Sequence, residues 1–407
     1  MLKSRTETWG ALFVLAVGLF LTALLALWVY MGATATPLHP TGQDVPSVQR
    51  ETPAGQWTGA AGQGRQAVRA ALTEQNLPGL SVAVGMDGDI VWAEGFGWAD
   101  LDKRVAVSPD VLFRIGTAST VLTSAAVGLL IEKGRLALDD VVQTHVPAFP
   151  PKPWPVTLRQ LMAHTAGLVN DGGDEGPLLG RHCERPVDAL DAFAERSLKF
   201  EPGTRFHYSS YGWIVVSAAV EAAAGQPLPA LMQAQVFEPL GMRDTRTEAT
   251  ADPVPNRATF YFPRFAADPR YGLHLMRPID YSCYSGSSVF LSTPSDLVRF
   301  GMAMTGGRLL QPATVQLLQA PQQLASGEPT GHGLGWDLET VTLAGARTRA
   351  VGRDGESLGG TVASLVTFPD HGIVVAVTSN ISYADTSGVA LQIAQAFAGQ
   401  RKRSQPR

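Results

Sequence analysis

The chain has 407 residues, 45% of them hydrophobic and 17% charged, which is enough apolar material for a large core and excludes a disordered chain. Thirty-two basic residues stand against 36 acidic ones, a net charge of −4 with no broad basic field, so no nucleic-acid partner is expected. The length admits one large domain or two small ones.

Lys3, Arg5 and Glu7 precede a run from Trp9 to Gly32 without a single charge. At about 1.5 Å per residue such a helix crosses a ~30 Å hydrocarbon core. Trp9, Trp28 and Tyr30 fall where interfacial aromatics sit. The expectation is a cytoplasmic stub over 1–8, a single-pass transmembrane anchor over 9–32, and everything after it outside. Ala33-Thr34-Ala35 has the small-residue form of a cleavage site, which leaves a removed leader as the alternative.

Residues 33–62 are rich in Thr, Pro, Gly and Gln, lack a hydrophobic period and are expected to form a linker. The folded domain is expected over 63–400. Helical spacing begins at Gly64 to Asn76, followed by a hairpin of Leu80–Val84 and Ile90–Phe96 around Asp87-Gly88-Asp89. Ser119 to Lys133 is a strongly apolar helix, with Gly134 as its stop. The middle is predicted to be helices and long loops: 158–164, 187–198, 211–224, 294–304 and 312–319. Strands return at 335–339, 360–368 and 373–378, and a last helix covers 386–398. Residues 401–407 are expected to be a solvated basic tail. Strands at both ends around a helical insert imply an α/β (α+β) fold. It has one antiparallel sheet flanked by terminal helices, a helical subdomain and an N-terminal transmembrane helix. A cleft is expected where sheet and subdomain meet. The two cysteines, Cys183 and Cys283, are expected to pair as one disulfide across that subdomain; two buried thiols are the alternative.

Seven ordered segments carry a resemblance. Phe113 to Thr120 leads into the apolar helix that ends at Glu132-Lys133-Gly134. Leu161-Met162-Ala163-His164-Thr165-Ala166-Gly167-Leu168 follows. Pro202-Gly203-Thr204 precedes Tyr208-Ser209-Ser210-Tyr211-Gly212. Pro239 to Met242, Leu291 to Leu297, Gly333-Leu334-Gly335-Trp336 and Gly352 to Gly360 complete the order. The set resembles the serine β-lactamase, DD-peptidase and penicillin-binding-protein family, class C β-lactamases included, and bacterial relatives of the mitochondrial lactamase-like protein. The resemblance implies the β-lactamase/transpeptidase-like fold, no cofactor, no metal, and a bacterial inner-membrane protein facing the periplasm or exterior.

It also implies a serine nucleophile and a lysine base in S-x-x-K, a tyrosine from the second motif, and a Lys-x-Gly or His-x-Gly strand. Here Thr117 stands at the serine position and Thr120 at the lysine position. None of the six lysines has a serine three residues before it. Tyr208 is retained, Ser210 stands where the family has Asn, and Arg353-Asp354-Gly355 replaces the titratable triplet. Thr120 cannot accept a proton near neutral pH, and Arg353 stays protonated. Losing a nucleophile or base in a serine enzyme lowers kcat on the order of 10⁴–10⁶-fold. His164 is expected to be structural, and Ser119 to point off the face of the cleft. The main expectation is therefore a catalytically impaired homologue. It would bind a small peptide, an ester or cell-wall-derived fragment, or a protein partner, through Ser210, Arg353, Asp354 and Gly355. The competing readings are a weak esterase, peptidase or β-lactamase using Thr117 and Tyr208, and a membrane-tethered scaffold.

Overall fold

The computed structural model describes residues 2–404 except 52, 54, 171–177, 249–253, 266 and 358. The first part of the chain forms α1 (Leu2–Ala33), β1 (Ser47–Glu51), α2 (Thr58–Glu74), β2 (Gly79–Met86) and β3 (Asp89–Asp100). Short strands β4 (Val105–Ala106) and β5 (Phe113–Arg114) lead into the central helix α3 (Ser119–Glu132). The middle holds α4 (Leu158–Met162), α5 (Ser210–Ala224), α6 (Leu228–Met232) and α7 (Glu238–Leu240). Strands β6 (Arg246–Thr247), β7 (Tyr261–Pro263), β8 (Leu273–Leu275) and β9 (Phe290–Ser292) come next. Then follow α8 (Pro294–Thr305), α9 (Pro312–Leu318), β10 (Asp337–Leu343), β11 (Ala346–Ser357), β12 (Thr361–Phe368), β13 (Ile373–Ser379) and α10 (Thr386–Ser404).

The main sheet is antiparallel in the order β1-β3-β2-β13-β12-β11-β10, with β4 attached to β3. Both ends of the chain therefore meet at the β2–β13 pair, where Val82 lies opposite Val377. The strands there are continuous apolar runs because both faces are covered, and side chains alternate between them. Val82, Val84, Val375 and Val377 pack under α2 and α10 with Trp92, Phe96 and Phe397. Ala83, Val374 and Ala376 pack on the other side with Leu297 and Val298 of α8. The expected α/β fold, with its antiparallel sheet, terminal helices and helical subdomain, is the one observed.

Four elements differ from expectation. The longest C-terminal strand, β11, shows little apolar pattern in Arg347-Thr348-Arg349 or Gly352-Arg353-Asp354-Gly355. Its ladders to β10 and β12 hold it, pairing Asp337 with Gly352 and Leu365 with Arg353. Within the stretch expected as a linker, β1 pairs with β3, and His39, Val45 and Trp57 are buried. The helix expected over 187–198 is shorter: residues 186–192 form a 3₁₀ helix, opened by Arg185 N–H donating to Asp188 Oδ2 at 2.8 Å. Finally, α10 continues to Ser404, and Arg401 of the expected tail donates to Asp87 Oδ1 at 3.0 Å and to the His371 carbonyl at 2.6 Å.

Cys183 and Cys283 are disulfide-bonded, with Cα atoms 4.9 Å apart. The bridge ties the 3₁₀ segment after Cys183 to the turn at 282–284, which abuts α5.

Candidate active site

The site is built around the N-terminus of α3. This helix is apolar all round and buried on nearly every side, so it sits in the middle of the domain. Its polar side chains fix its depth and rotation. Thr123 Oγ1 donates to the Gly286 carbonyl at 2.8 Å and Ser124 Oγ to the Leu334 carbonyl at 2.7 Å. Just upstream, the buried Arg114 makes a two-pronged ion pair with Glu248 at 2.6 and 3.0 Å and lies over the Phe260 ring at 4.4 Å. A buried, fully paired Arg before the helix immobilises the turn Gly116–Ala118 that carries Thr117.

Strand β11 crosses this turn closely. A Cβ on Gly355 would overlap the Ile115 carbonyl oxygen and lie 2.5 Å from the Ala118 nitrogen. Only glycine admits that approach. It brings the Asp354 carbonyl to 3.4 Å from Thr117 Oγ1, which donates to it. Thr117 is 8% exposed, so it borders the cleft without opening widely to it. Thr120, one turn on, is fully buried. Its Oγ1 lies 2.9 Å from the Thr117 carbonyl and 3.3 Å from the Gly335 carbonyl. Its proton is shared between two backbone acceptors, and it makes no hydrogen bond to Thr117 Oγ1. Ser119 is turned away into the core, where its Oγ accepts from Phe290 N–H at 3.4 Å.

The second wall comes from the segment before α5. Tyr208 is half-buried, and its Oη accepts from Ser210 Oγ at 3.3 Å. Its ring lies 4.6 Å from that of His164, and the Arg353 guanidinium stands 5.8 Å from its centroid. His164 Nδ1 accepts from Ser209 N–H at 3.2 Å, which leaves the proton of the neutral ring on Nε2, a buried atom with no partner among the described residues. Burial first, then the charges of Arg353 and His332, hold the His164 pKa at about 3. It is neutral at working pH and its one lone pair is occupied, so it is no base.

Arg353 is 7% exposed, and its Nη1 donates to Asp337 Oδ1 at 2.7 Å. The same carboxyl oxygen lies 2.9 Å from His332 Nδ1, and the His332 ring stacks on Phe206 at 4.8 Å. Burial works to raise the Asp337 pKa, but the His332 hydrogen bond and the Arg353 charge outweigh it and hold it below the usual carboxylate range. Arg353 Nε is buried and has no partner among the described residues. Side chains alternate along β11: the Arg353 guanidinium reaches the Tyr208 ring, and a cavity on the α10 side is lined by Asp337, Glu339, Arg353, Asp354 and Ser364. The structure thus brings Thr117, Tyr208, Ser210, Arg353 and Gly355 close together, with the backbone of Asp354 against Thr117. The sequence pattern did not single out Asp337 and His332. Their positions on either side of Gly333-Leu334-Gly335-Trp336, opposite the Arg353 strand, were the available signal.

A hydroxyl on the first turn of a buried helix, a tyrosine from the helical part and a glycine-bearing strand closing the cleft define the class of β-lactamases and penicillin-binding proteins. Residues 65–400 match the Beta-lactamase family model, and the chain belongs to that family. It is 26% identical to the human mitochondrial serine beta-lactamase-like protein LACTB over 426 residues, covering 80% of this chain and 77% of that one. It is 29% identical to penicillin-binding protein 4 of Amycolatopsis lactamdurans over 341 residues, covering 76% and 82%. In fold it is similar to an octameric penicillin-binding protein homologue from Pyrococcus abyssi, with a TM-score of 0.69 at 24% identity, covering 81% of this chain and 76% of that one. FmtA from Staphylococcus aureus superposes with a TM-score of 0.68 at 20% identity, covering 89% and 94%.

Proposed function

We propose that this protein is a membrane-anchored member of the family that has lost acyl transfer and uses the cleft to bind a carboxylate-bearing peptide or cell-wall fragment. The observation that carries the first half is the state of the two reacting positions. Thr117 Oγ1 turns to a backbone carbonyl, and no titratable side chain hydrogen-bonds to it among the described residues. Thr120, in the place of a base, is committed to two carbonyls. Without a base, the hydroxyl stays protonated and is a poor nucleophile.

Arg353 supports the second half. It is nine-tenths buried, permanently charged, and its Nε, near the Tyr208 ring, has no partner among the described residues. A guanidinium with spare donors in a shielded site matches a carboxylate. α1 supports the anchor: Leu12–Ala33 has a mean hydropathy of 2.7 and no part of it is buried in the domain. Lys3 and Arg5 favour a cytoplasmic N-terminus, with the domain on the periplasmic side of a bacterial inner membrane.

The test combines labelling and binding on the full chain in detergent. A fluorescent β-lactam should leave no covalent label. A short acyl peptide with a free C-terminal carboxylate should bind, its amide should bind at least about tenfold more weakly, and Arg353→Gln should erase that difference. Covalent labelling of Thr117 would overturn the loss of chemistry. Equal binding of acid and amide would overturn the carboxylate site.

A further inference from the structure

The outer end of α1 touches the domain. The Tyr30 ring meets Phe265 edge to face with centroids 6.3 Å apart, and Arg264 donates to the Thr34 hydroxyl. The chain that follows is pinned as well. Leu38 N–H donates to Asn76 Oδ1 at 2.7 Å, and Asn76 Nδ2 donates to the Thr36 carbonyl at 3.2 Å. Arg264 and Phe265 directly follow β7, whose partner is β8. A Tyr at the end of a membrane helix lies at headgroup depth. The β7–β8 hairpin that it touches lies at that depth too.

Beside this hairpin opens a cavity of about 410 Å³. Tyr261 pairs with Leu275, and Arg264 and Phe265 follow three and four residues on, so the cavity wall at Leu275 is about 10–13 Å of strand from the anchor contact. Four cations line it: Lys103, Arg114, Arg257 and Arg277. Arg114 is buried at its back, and shares Glu248 with Arg257, both at 2.6 Å. Lys103 pairs with Asp100 at 3.0 Å. Arg277 is exposed and has no partner among the described residues. Four positive charges thus face two carboxylates. Apart from Asp100 and Thr259 the remaining wall is apolar, with Phe260 and Met276, and Leu275 stands 65% exposed at the same cavity. In water an exposed leucine beside an unpaired arginine gains nothing. At a bilayer surface the leucine meets acyl chain and the arginine meets phosphate.

We infer that this cavity seats the headgroup phosphate of an anionic phospholipid in the membrane that holds α1, and so sets the tilt of the domain on that surface. The inference rests on the membrane-anchored reading above. It is independent of what the cleft binds, since Arg353 and Tyr208 do not line this cavity.

The test uses the full chain in nanodiscs of phosphatidylcholine with or without phosphatidylglycerol, read by amide hydrogen exchange. Phosphatidylglycerol should slow exchange over 100–106 and 273–279 by about fivefold for each basic side chain engaged. The effect should fade in high salt. Arg277→Glu combined with Lys103→Glu should abolish it; both side chains are exposed, and unchanged exchange in α3 checks that the variant is folded. Inorganic phosphate added to phosphatidylcholine discs should not reproduce the protection. Equal exchange in the two discs would overturn the inference, and full protection by inorganic phosphate would reassign the cavity to a free anion. A chain that stays outside the discs would sink the anchor and the inference with it. A chain that inserts without lipid-dependent protection would sink the inference alone.

Discussion

Thr120 Oγ1 lies 2.9 Å from the carbonyl oxygen of Thr117, one turn back in the same helical stretch. On the proposed reading, in which Thr120 stands where a base would, its hydroxyl is turned to the backbone of the residue it would have to activate. The β-branched side chain has few rotamers to choose from in a helix, and back-bonding to a carbonyl one turn earlier selects one of them. Around the pair, Gly355 lies against the turn and Tyr208 stands beside Arg353, while Ser210 and Arg353 differ from the residues the resemblance implies.

Restoring the pair should therefore restore chemistry. Thr117→Ser with Thr120→Lys is expected to give measurable hydrolysis of a nitrophenyl acyl ester. Thr117→Ser alone should give about 10²-fold less, since the hydroxyl would still lack its base. Stopped-flow detection of an acyl-enzyme burst checks it. A wild type as active as the double variant would assign the chemistry to Thr117 itself. A folded double variant that never acylates would show that the cleft no longer aligns an ester.

The main sheet and its closing hairpin were legible because β2, β3, β12 and β13 are apolar on both faces, and because Asp87-Gly88 marks the turn. The place of Thr117 and Thr120 at the start of the central helix was legible because they fall within a run of ordered motifs. What escaped was held by tertiary pairing rather than composition. β11 is polar and glycine-rich and exists through its two neighbours. β1 is a short polar strand added to the sheet edge. Asp337 and His332 escaped because their role comes from meeting Arg353 across a ladder, which residue spacing along one strand does not encode.

The disulfide should contribute substantially to the helical part. It spans a sequence separation of 100 and joins segments on either side of α5. Cys183→Ser with Cys283→Ser is expected to lower the unfolding free energy by roughly 2–5 kcal/mol. Denaturant titration of oxidised and reduced chain measures it. An unchanged midpoint on reduction would show that core packing alone holds the segment.

Acid should destabilise the fold through His164. Its pKa is about 3 in the folded protein against 6.5 ordinarily, so between those values the unfolded chain binds a proton that the native one excludes. The stabilisation is complete above pH 6.5 and is lost as pH falls towards 3. His164→Asn keeps an acceptor for Ser209 N–H and removes the titration. The stability-versus-pH slope between pH 4 and 6 should flatten by at most about 1.4 kcal/mol per pH unit. An identical slope in the variant would place the acid sensitivity elsewhere.

Gly355→Ala should act on Thr117 without touching it. The new Cβ would overlap the Ile115 carbonyl oxygen and crowd Ala118 N and Cβ, at 2.5 and 2.8 Å, so β11 and the Gly116–Ala118 turn must separate. Backbone on both sides leaves no flexible side chain to yield, and overpacking of this kind costs about 1–3 kcal/mol. Gly180→Ala is the control, since a Cβ there meets nothing within 4 Å. Two readouts distinguish local from global damage. Thermal unfolding should show Gly355→Ala destabilised and Gly180→Ala unchanged. In the Ser/Lys double variant, Gly355→Ala should also abolish acylation at temperatures where the protein remains folded, because the strand no longer closes the cleft over the hydroxyl. Acylation that survives the alanine would mean that the close approach of Gly355 serves packing alone.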